Sequence, residues 1–418
     1  MSGGERTSRP EPAAALAALV LCLAAAPVRA EPIHGRIEVQ ETGAFARADS
    51  LDAALGARDR NDVAADLRLI WEPSADRWSF SLHYNASVVY GDGVPLARAR
   101  GAATAPPANL FDLENTFVDD GKVFGSHRID RLALTYGTPE TVVRVGRQAL
   151  TWGSGLVFRP MDLFNPFSPT ATDTEYKPGS DMVYVQRLFA DGSDLQLIVV
   201  PRRPRRGAAP SSDASSAAAH LHTTVAGHRT TLLVARDHGD WVAAVGVNGA
   251  LGGATWNVEV VPTFLDAGGT RVSALANISY STTLANRNAS LFAEYFHNGF
   301  GAHEDNFDLV SLPPELRDRL SRGQLFSTRR NYLSAGVTLE VSPLVNAGPT
   351  LIADLDDGSV LLLASASVSL GDNLTLVAGA QAPLGGRRTE FGGLPLAPGS
   401  QTFVAPPTRL YLQLRRYF

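Results

Sequence analysis

The chain is almost without cysteine. Cys22 is the only one in 418 residues, and it falls in a stretch expected to be removed. Arg6 and Arg9 precede an apolar run from Ala13 to Pro27, and Val28-Arg29-Ala30 offers a small-residue cleavage point before Glu31. A charged start, a short apolar core and such a site make a secretory signal peptide. Residues 1–30 are therefore read as signal peptide and 31–418 as the mature domain. The apolar run is shorter than the ~20 residues of a membrane-spanning helix. Leu21 stands where lipid attachment at Cys22 would want a small residue, so no lipid anchor is expected. An exported chain without thiols must rely on hydrogen bonding and packing rather than disulfides.

Lysine is nearly absent as well: Lys122 and Lys177 stand against 35 arginines, so the cations are planar, forked donors. Beyond residue 30 there are 34 cations and 40 anions, a net charge of −6. The missing basic excess argues against a nucleic-acid partner. No apolar run near 18 residues follows the signal, so no helical span is expected. Sequence patterns for a nucleophile elbow, a zinc protease or a phosphate-binding loop are missing too, and no cofactor or metal is implied.

What the chain does have is alternation with period two. In Thr408–Phe418, Leu410, Leu412, Leu414 and Phe418 share one face, and Arg409, Tyr411, Gln413 and Arg415 share the other. Leu333, Ala335, Val337, Leu339 and Val341 oppose Tyr332, Ser334, Gly336, Thr338 and Glu340; Trp256, Val258 and Val260 oppose Asn257 and Glu259. Leu132, Leu134 and Tyr136 oppose Arg131, Ala133 and Thr135. Either a soluble sandwich or a membrane barrel gives this pattern, with the apolar face turned to a core in one and to lipid in the other.

Three features favour the barrel. Trp78–Tyr90, Arg271–Ser281 and Asn331–Val341 are ten residues or longer, matching transmembrane strands of ~9–11 residues better than soluble strands of ~5–6. Short links such as Glu72–Asp76 and Gly371–Asn373 alternate with long ones such as Gly91–His127, Leu150–Ser180 and Asn298–Arg329, as periplasmic turns alternate with external loops. The chain stops at Phe418 on an alternating strand; a terminal aromatic there resembles the signal read by the outer-membrane assembly machinery, although Arg416 stands where a hydrophobic residue is usual. The expected fold is all-β: one transmembrane antiparallel barrel of about 18 strands, starting near residues 33, 62, 77, 128, 141, 181, 194, 216, 229, 241, 254, 270, 288, 330, 349, 359, 373 and 407. Dropping the first strand and the one near His220 would leave 16. The expected address is the bacterial outer membrane. Arg131, Glu259, Glu294, Glu340, Arg409 and Arg415 are expected to face the lumen. Ala208–Ala219 reads as a flexible external loop, and the basic run Pro201–Arg206 as a solvated segment or a contact for lipopolysaccharide phosphates.

The densest stretch is Arg144–Pro169, a strand that runs into a loop rich in Gly, Pro and aromatics. Alternation puts Arg144 and Gln148 toward the lumen and Arg147 on the lipid register, where an arginine costs ~2–4 kcal/mol at mid-membrane and ~0–1 near the interface. Arg147 must then sit at the rim, or a bulge at Gly146 turns it inward; the bulge is the preferred expectation. In this count the loop is the third external one, which in general porins folds inward and narrows the pore. Trp152, Gly153 and Gly155 would pack it tightly, and Phe158, Phe164 and Phe167 would anchor it. Asp162 against Arg144, Arg147 or Arg159 would set opposed charges across a constriction, with Asn165 as a further polar group; equally, Asp162 and Asn165 would serve only to cap turns. The histidines are scattered without the Asn/His/Ser arrangement of outer-membrane phospholipases and read as structural. His303-Glu304-Asp305 with Asp308 reads as a solvated acidic loop.

Gly146-Arg147-Gln148, then Trp152-Gly153, Pro160-x-Asp162 and Asn165-Pro166, resemble the central signature of a domain-of-unknown-function family of proteobacterial outer-membrane barrels. Capsule-assembly outer-membrane barrels carry a loosely similar segment, with a proline usual where Ser154 stands here. These resemblances imply an outer-membrane barrel and identify no solute. Three functions stay open: a passive or weakly selective channel constricted by 150–180, a loop-closed barrel that binds or assembles a surface polysaccharide or protein partner, and an outer-membrane hydrolase, the least favoured. The partners implied are membrane lipid, lipopolysaccharide, the assembly machinery and a small solute the sequence leaves unnamed.

Overall fold

The computed structural model describes residues 32–101, 108–302 and 308–418. The signal-peptide reading and the His303–Asp305 cluster lie outside the described residues. Eighteen long strands run in chain order: β1 (His34–Phe45), β2 (Asp59–Trp71), β3 (Trp78–Gly91), β4 (Val123–Gly137), β5 (Thr141–Gln148), β6 (Ser180–Leu188), β7 (Asp194–Val200), β8 (Ser216–Val225) and β9 (His228–Asp237). They continue as β10 (Asp240–Leu251), β11 (Ala254–Phe264), β12 (Thr270–Leu284), β13 (Arg287–His297), β14 (Asn331–Ser342), β15 (Val345–Asp354), β16 (Val360–Gly371), β17 (Leu374–Leu384) and β18 (Thr408–Tyr417).

Each strand pairs antiparallel with the next, and β1 pairs with β18 from Arg36↔Tyr417 to Phe45↔Thr408, which closes the barrel. Closure leaves no free edge in the ring, the condition for a sheet in hydrocarbon. The 18-strand trace, including β1 and β8, is the one observed.

The faces decide between barrel and sandwich. In β18, Leu412 is 46% exposed and Gln413 is 0% exposed. The same inversion puts Val145, Val183, Leu197, Val234, Val258 and Leu333 on the outer surface and Glu259, Glu294 and Ser334 inside. Apolar-out and polar-in is the pattern of a membrane barrel. At one end the links are turns of at most six residues. At the other lie the long loops, which among the described residues carry three short helices: α1 (Leu51–Ala54), α2 (Gly93–Ala99) and α3 (Pro314–Ser321).

One correction and one refinement concern segments read as loops. The far end of the Ala/Ser-rich stretch is not loop: Ser216–Ala219 form the start of β8, laddered to β7 and β9. The basic run is solvated over residues 204–206 but held at Arg202 and Arg203. Arg202 is buried and donates to Ser216 Oγ at 2.5 Å; Arg203 donates to Leu110 O at 2.9 Å and Arg206 to Asp112 at 2.5 Å. Its partner is the segment 108–114, which crosses the rim and continues as Glu114–Asp120, paired to the upper half of β4 beyond the end of β5.

Candidate functional site

The third external loop, 149–179, leaves β5 at Gln148 and returns at Ser180. It turns into the barrel. Two wall carboxylates receive it. Glu259 accepts the Ser154 N–H at 2.5 Å, and Glu294 accepts those of Leu156, Val157 and Phe158 at 2.6, 3.0 and 2.8 Å. Bonds from backbone N–H to an ionised oxygen are the stronger kind. Asn277 bridges the two sides, donating to Ser154 O and to Glu294, at 3.0 and 3.1 Å. Gly155 is required here: a Cβ on it would stand 1.8 Å from Phe158 O.

Aromatic packing fixes the same half. The Trp152 ring lies flat on His220 with centroids 4.6 Å apart and planes 1° off parallel, and its Nε1 donates to Gln196 at 3.0 Å. Phe164 meets the Trp152 ring edge-on. Phe158 stacks on Phe296 at 4.6 Å and touches Tyr332. Met161 completes this interior core.

Farther along, Lys177 Nζ bonds both oxygens of Asp162, at 2.7 and 2.6 Å, and also Leu150 O at 2.5 Å. Burial pushes the Asp162 carboxyl up and the Lys177 ammonium down, and the ion pair opposes both shifts. Asn165, at φ +53, donates to Pro178 O and Ser180 Oγ and so closes the loop's base. The last stretch reaches the opposite wall. Arg36 of β1 holds Asp173 at 2.6 Å and Glu175 at 2.8 Å. Burial alone would raise Asp173, but the Arg36 guanidinium holds it below the usual carboxylate range. Tyr176 lies under the Arg68 guanidinium at 4.3 Å; burial and Glu175 push its hydroxyl up to about 12, so it stays neutral. Gln381 of β17 donates to Thr170 O at 2.8 Å. The loop thus spans the lumen from β7–β8 and β11–β14 to β17, β1 and β2.

External loops cover it. In 298–330, Arg319 pairs with Asp240 at 2.6 Å and Gln324 donates to Asp237 at 2.8 Å and to Leu163 O at 3.4 Å. Glu390, from 385–407, accepts from Thr328 and from Tyr332 Oη at 2.7 Å.

The expected residues fare differently. Trp152, Asp162 and Asn165 belong to the inward loop, and Glu259 and Glu294 hold it. Arg131 supports it from β4, donating to Lys177 O at 2.6 Å, and Arg415 bonds Glu38 at 2.7 Å with Asp173 beyond at 3.8 Å. Arg144 turns to Thr135 Oγ1 at 3.0 Å, and Gln148 is buried beside it. Three expectations are corrected. Asp162 is bonded to Lys177 of its own loop rather than to Arg144, Arg147 or Arg159, because the Asn165 turn brings residue 177 back to it. Arg159 makes no bond to Asp162: its guanidinium donates to Gly155 O at 3.3 Å and lies over the Phe167 ring, and it acts on Asp162 by its charge alone. The bulge at Gly146 is missing: both ladders run through that residue in unbroken register, and Arg147 sits at the rim, bonded to Asp181 at 2.8 and 3.0 Å and to Phe111 O at 2.6 Å. Glu340 lies near the short-turn end, bonded to Asn288 at 2.7 Å, and Arg409 at the outer end of β18, both away from the loop's anchors. Sequence reading passed over Lys177, Arg36, Arg68, Gln196 and His220. The alternation of β1, with Ile37 and Val39 out, did point Arg36 inward.

No family model and no curated protein sequence matches the chain. Solved structures do. The Acinetobacter baumannii protein OccAB1 aligns over 94% of this chain and 98% of its own, at 9% identity and a TM-score of 0.51. Pseudomonas aeruginosa OpdQ gives 93%, 98%, 9% and 0.51, and a BenF-like porin from Pseudomonas fluorescens gives 92%, 98%, 10% and 0.50. The fold is that of an outer-membrane porin. At such identities the likeness extends to the barrel, not to any solute.

Proposed function

We propose that the protein is a porin-like channel of the bacterial outer membrane, passing small solutes passively or with weak selectivity, with loop 150–180 as its constriction. The reading is of a channel, not an enzyme. The observation that carries it is the loop's course: one external loop crosses the lumen and is tied to opposite walls, by Glu259 and Glu294 on one side and Arg36 on the other. Such a loop sets the width and charge of any aqueous path. In planar bilayers the purified protein is expected to give discrete conductance steps. Replacing residues 151–177 by a short Gly/Ser linker should raise the unit conductance several-fold. A wild-type protein silent at every potential would sink the channel reading.

A second reading has its own support. The loop is anchored at both ends and covered by 298–330 and 385–407, as a barrel closed for binding a surface polymer or a partner would be. A deletion strain with normal solute uptake and altered surface polysaccharide would favour it. In either reading residues 1–30 direct export, lipopolysaccharide surrounds the outer rim, and Phe418 is the residue the assembly machinery reads.

A further inference from the structure

Between the wall, the inward loop and loop 298–330 lies a cavity of about 480 Å³. Arg36, Arg68 and Arg128 line it from the wall and Arg322 from the external loop, with Asp66 and Asp173 as the facing carboxylates. Its charges are unevenly satisfied. Arg68 is 3% exposed and spends Nη2 on Asp130, at 2.5 Å. Its Nε and Nη1 have no partner among the described residues, nor has Nε of Arg36. The stack on Tyr176 uses the face of the Arg68 guanidinium and leaves its in-plane donors free. Asp130 is already shared with Arg128, at 2.7 Å. Asp66 gives one oxygen to Asn85, and the other stands 3.7 Å from Arg36. Arg322, though mostly buried, has as its nearest carboxylate among the described residues Asp318, at 4.0 Å. Buried, unpaired N–H donors of this kind are costly to leave unmet, and a cavity of this size gives room for a group that meets them.

We propose that this cavity binds a small oxyanion, a phosphate or carboxylate group, whose oxygens take the free N–H groups of Arg68 and Arg36 and the Arg322 guanidinium. Forked arginine donors suit such oxygens. Because Arg322 belongs to the external loop, the bound anion ties that loop to the wall and to the inward loop beneath it. This inference rests on the loop-filled lumen described above, not on conduction.

The test uses the purified full-length barrel in detergent. Inorganic phosphate is titrated against chloride at matched ionic strength, followed by calorimetry and thermal melting. Saturable phosphate binding with a raised melting temperature is expected, with acetate competing. Arg68→Gln and Arg322→Gln should each weaken binding by about tenfold or more. Arg205→Gln, on an exposed loop arginine away from the cavity, should leave it unchanged. Should Arg68→Gln fail to fold, Arg322→Gln decides, since it changes only the loop. The proposal is overturned by phosphate that acts no differently from chloride, or by wild-type affinity in Arg322→Gln. Binding without conductance would remove the channel reading alone, and conductance without binding would remove this site alone.

Discussion

Asp162 and Lys177, fifteen residues apart in one loop, close on each other at 2.6 Å inside the barrel, their side chains 0% and 5% exposed. Removing one partner of such a pair leaves an uncompensated buried charge, at a cost of about 3–5 kcal/mol, whereas removing both for apolar groups is often close to neutral. Lys177→Met should therefore loosen the inward loop, and Asp162→Leu in the Lys177→Met background should recover most of the loss. Amide hydrogen exchange across residues 150–180 measures it: fast in the single variant, slowed again in the double. Equal exchange in wild type and Lys177→Met would mean that the pair does not hold the loop.

Glu294 is the other fastening, and it acts through three consecutive amides. Glu294→Ala removes every acceptor and should expose Leu156, Val157 and Phe158 to exchange. Glu294→Gln keeps one neutral oxygen and should fall between, since bonds to charged groups contribute about 1.5–3 kcal/mol against about 1 kcal/mol for neutral ones. In bilayers the same order, alanine above glutamine above wild type, is expected for unit conductance.

These contacts show what a sequence can and cannot reveal about such a chain. Strand number and loop order were legible because most strands repeat one rule, Leu412 out and Gln413 in, and the rule needs only neighbours along the chain. β8 was the hard strand because Ala217, Ala218 and Ala219 carry no hydropathy alternation; its ladders to β7 and β9 make it a strand. The inward position of loop 149–179 followed from counting. Its pairings did not. Asp162 had three arginines within reach in sequence, and which cation meets it depends on the turn at Asn165 and on the path back to Ser180. Arg147 lay on the lipid register, and its relief comes from Asp181 across the ladder and from Phe111, on a rim segment 36 residues upstream.

The outer turn between β9 and β10 carries a pH dependence. Burial, reinforced by Arg202, Arg322 and Arg319, lowers His238 to about 4, with Asp237 at 3.9 Å opposing the shift. The folded state thus favours neutral imidazole, while the unfolded chain protonates near its ordinary value of about 6.5. A depressed value gives stability that is fully present above pH ~6.5 and is lost as the pH falls toward 4. Protonation would also set a third charge against Arg319 and Arg322 and loosen loop 298–330. The urea midpoint should drop between pH 7 and pH 4, and His238→Asn, which tolerates the positive φ of this turn, should flatten the drop. An unchanged slope in that variant would assign the acid sensitivity to other groups.

The barrel's seam offers a way to separate closure from recognition at Phe418. Its backbone exchanges two hydrogen bonds with Gly35, at 2.9 and 3.1 Å, the last rung between β1 and β18. Its ring lies over the same glycine, 3.0 Å from where a Cβ would stand, and this cover protects a weak point in the strand. Phe418→Ala keeps both backbone bonds, and deletion of Phe418 removes them. If the residue acts only in closure, refolding into detergent should suffer in the deletion and little in Phe418→Ala, and the yield of folded barrel in cells should follow that order. A recognition role predicts a different pair of results: Phe418→Ala refolds in detergent almost as wild type, yet little heat-modifiable barrel reaches the cell's outer membrane. We expect the second pattern, because half of the Phe418 side chain stays exposed at the barrel's end, beyond its contact with Gly35, and is open to a partner.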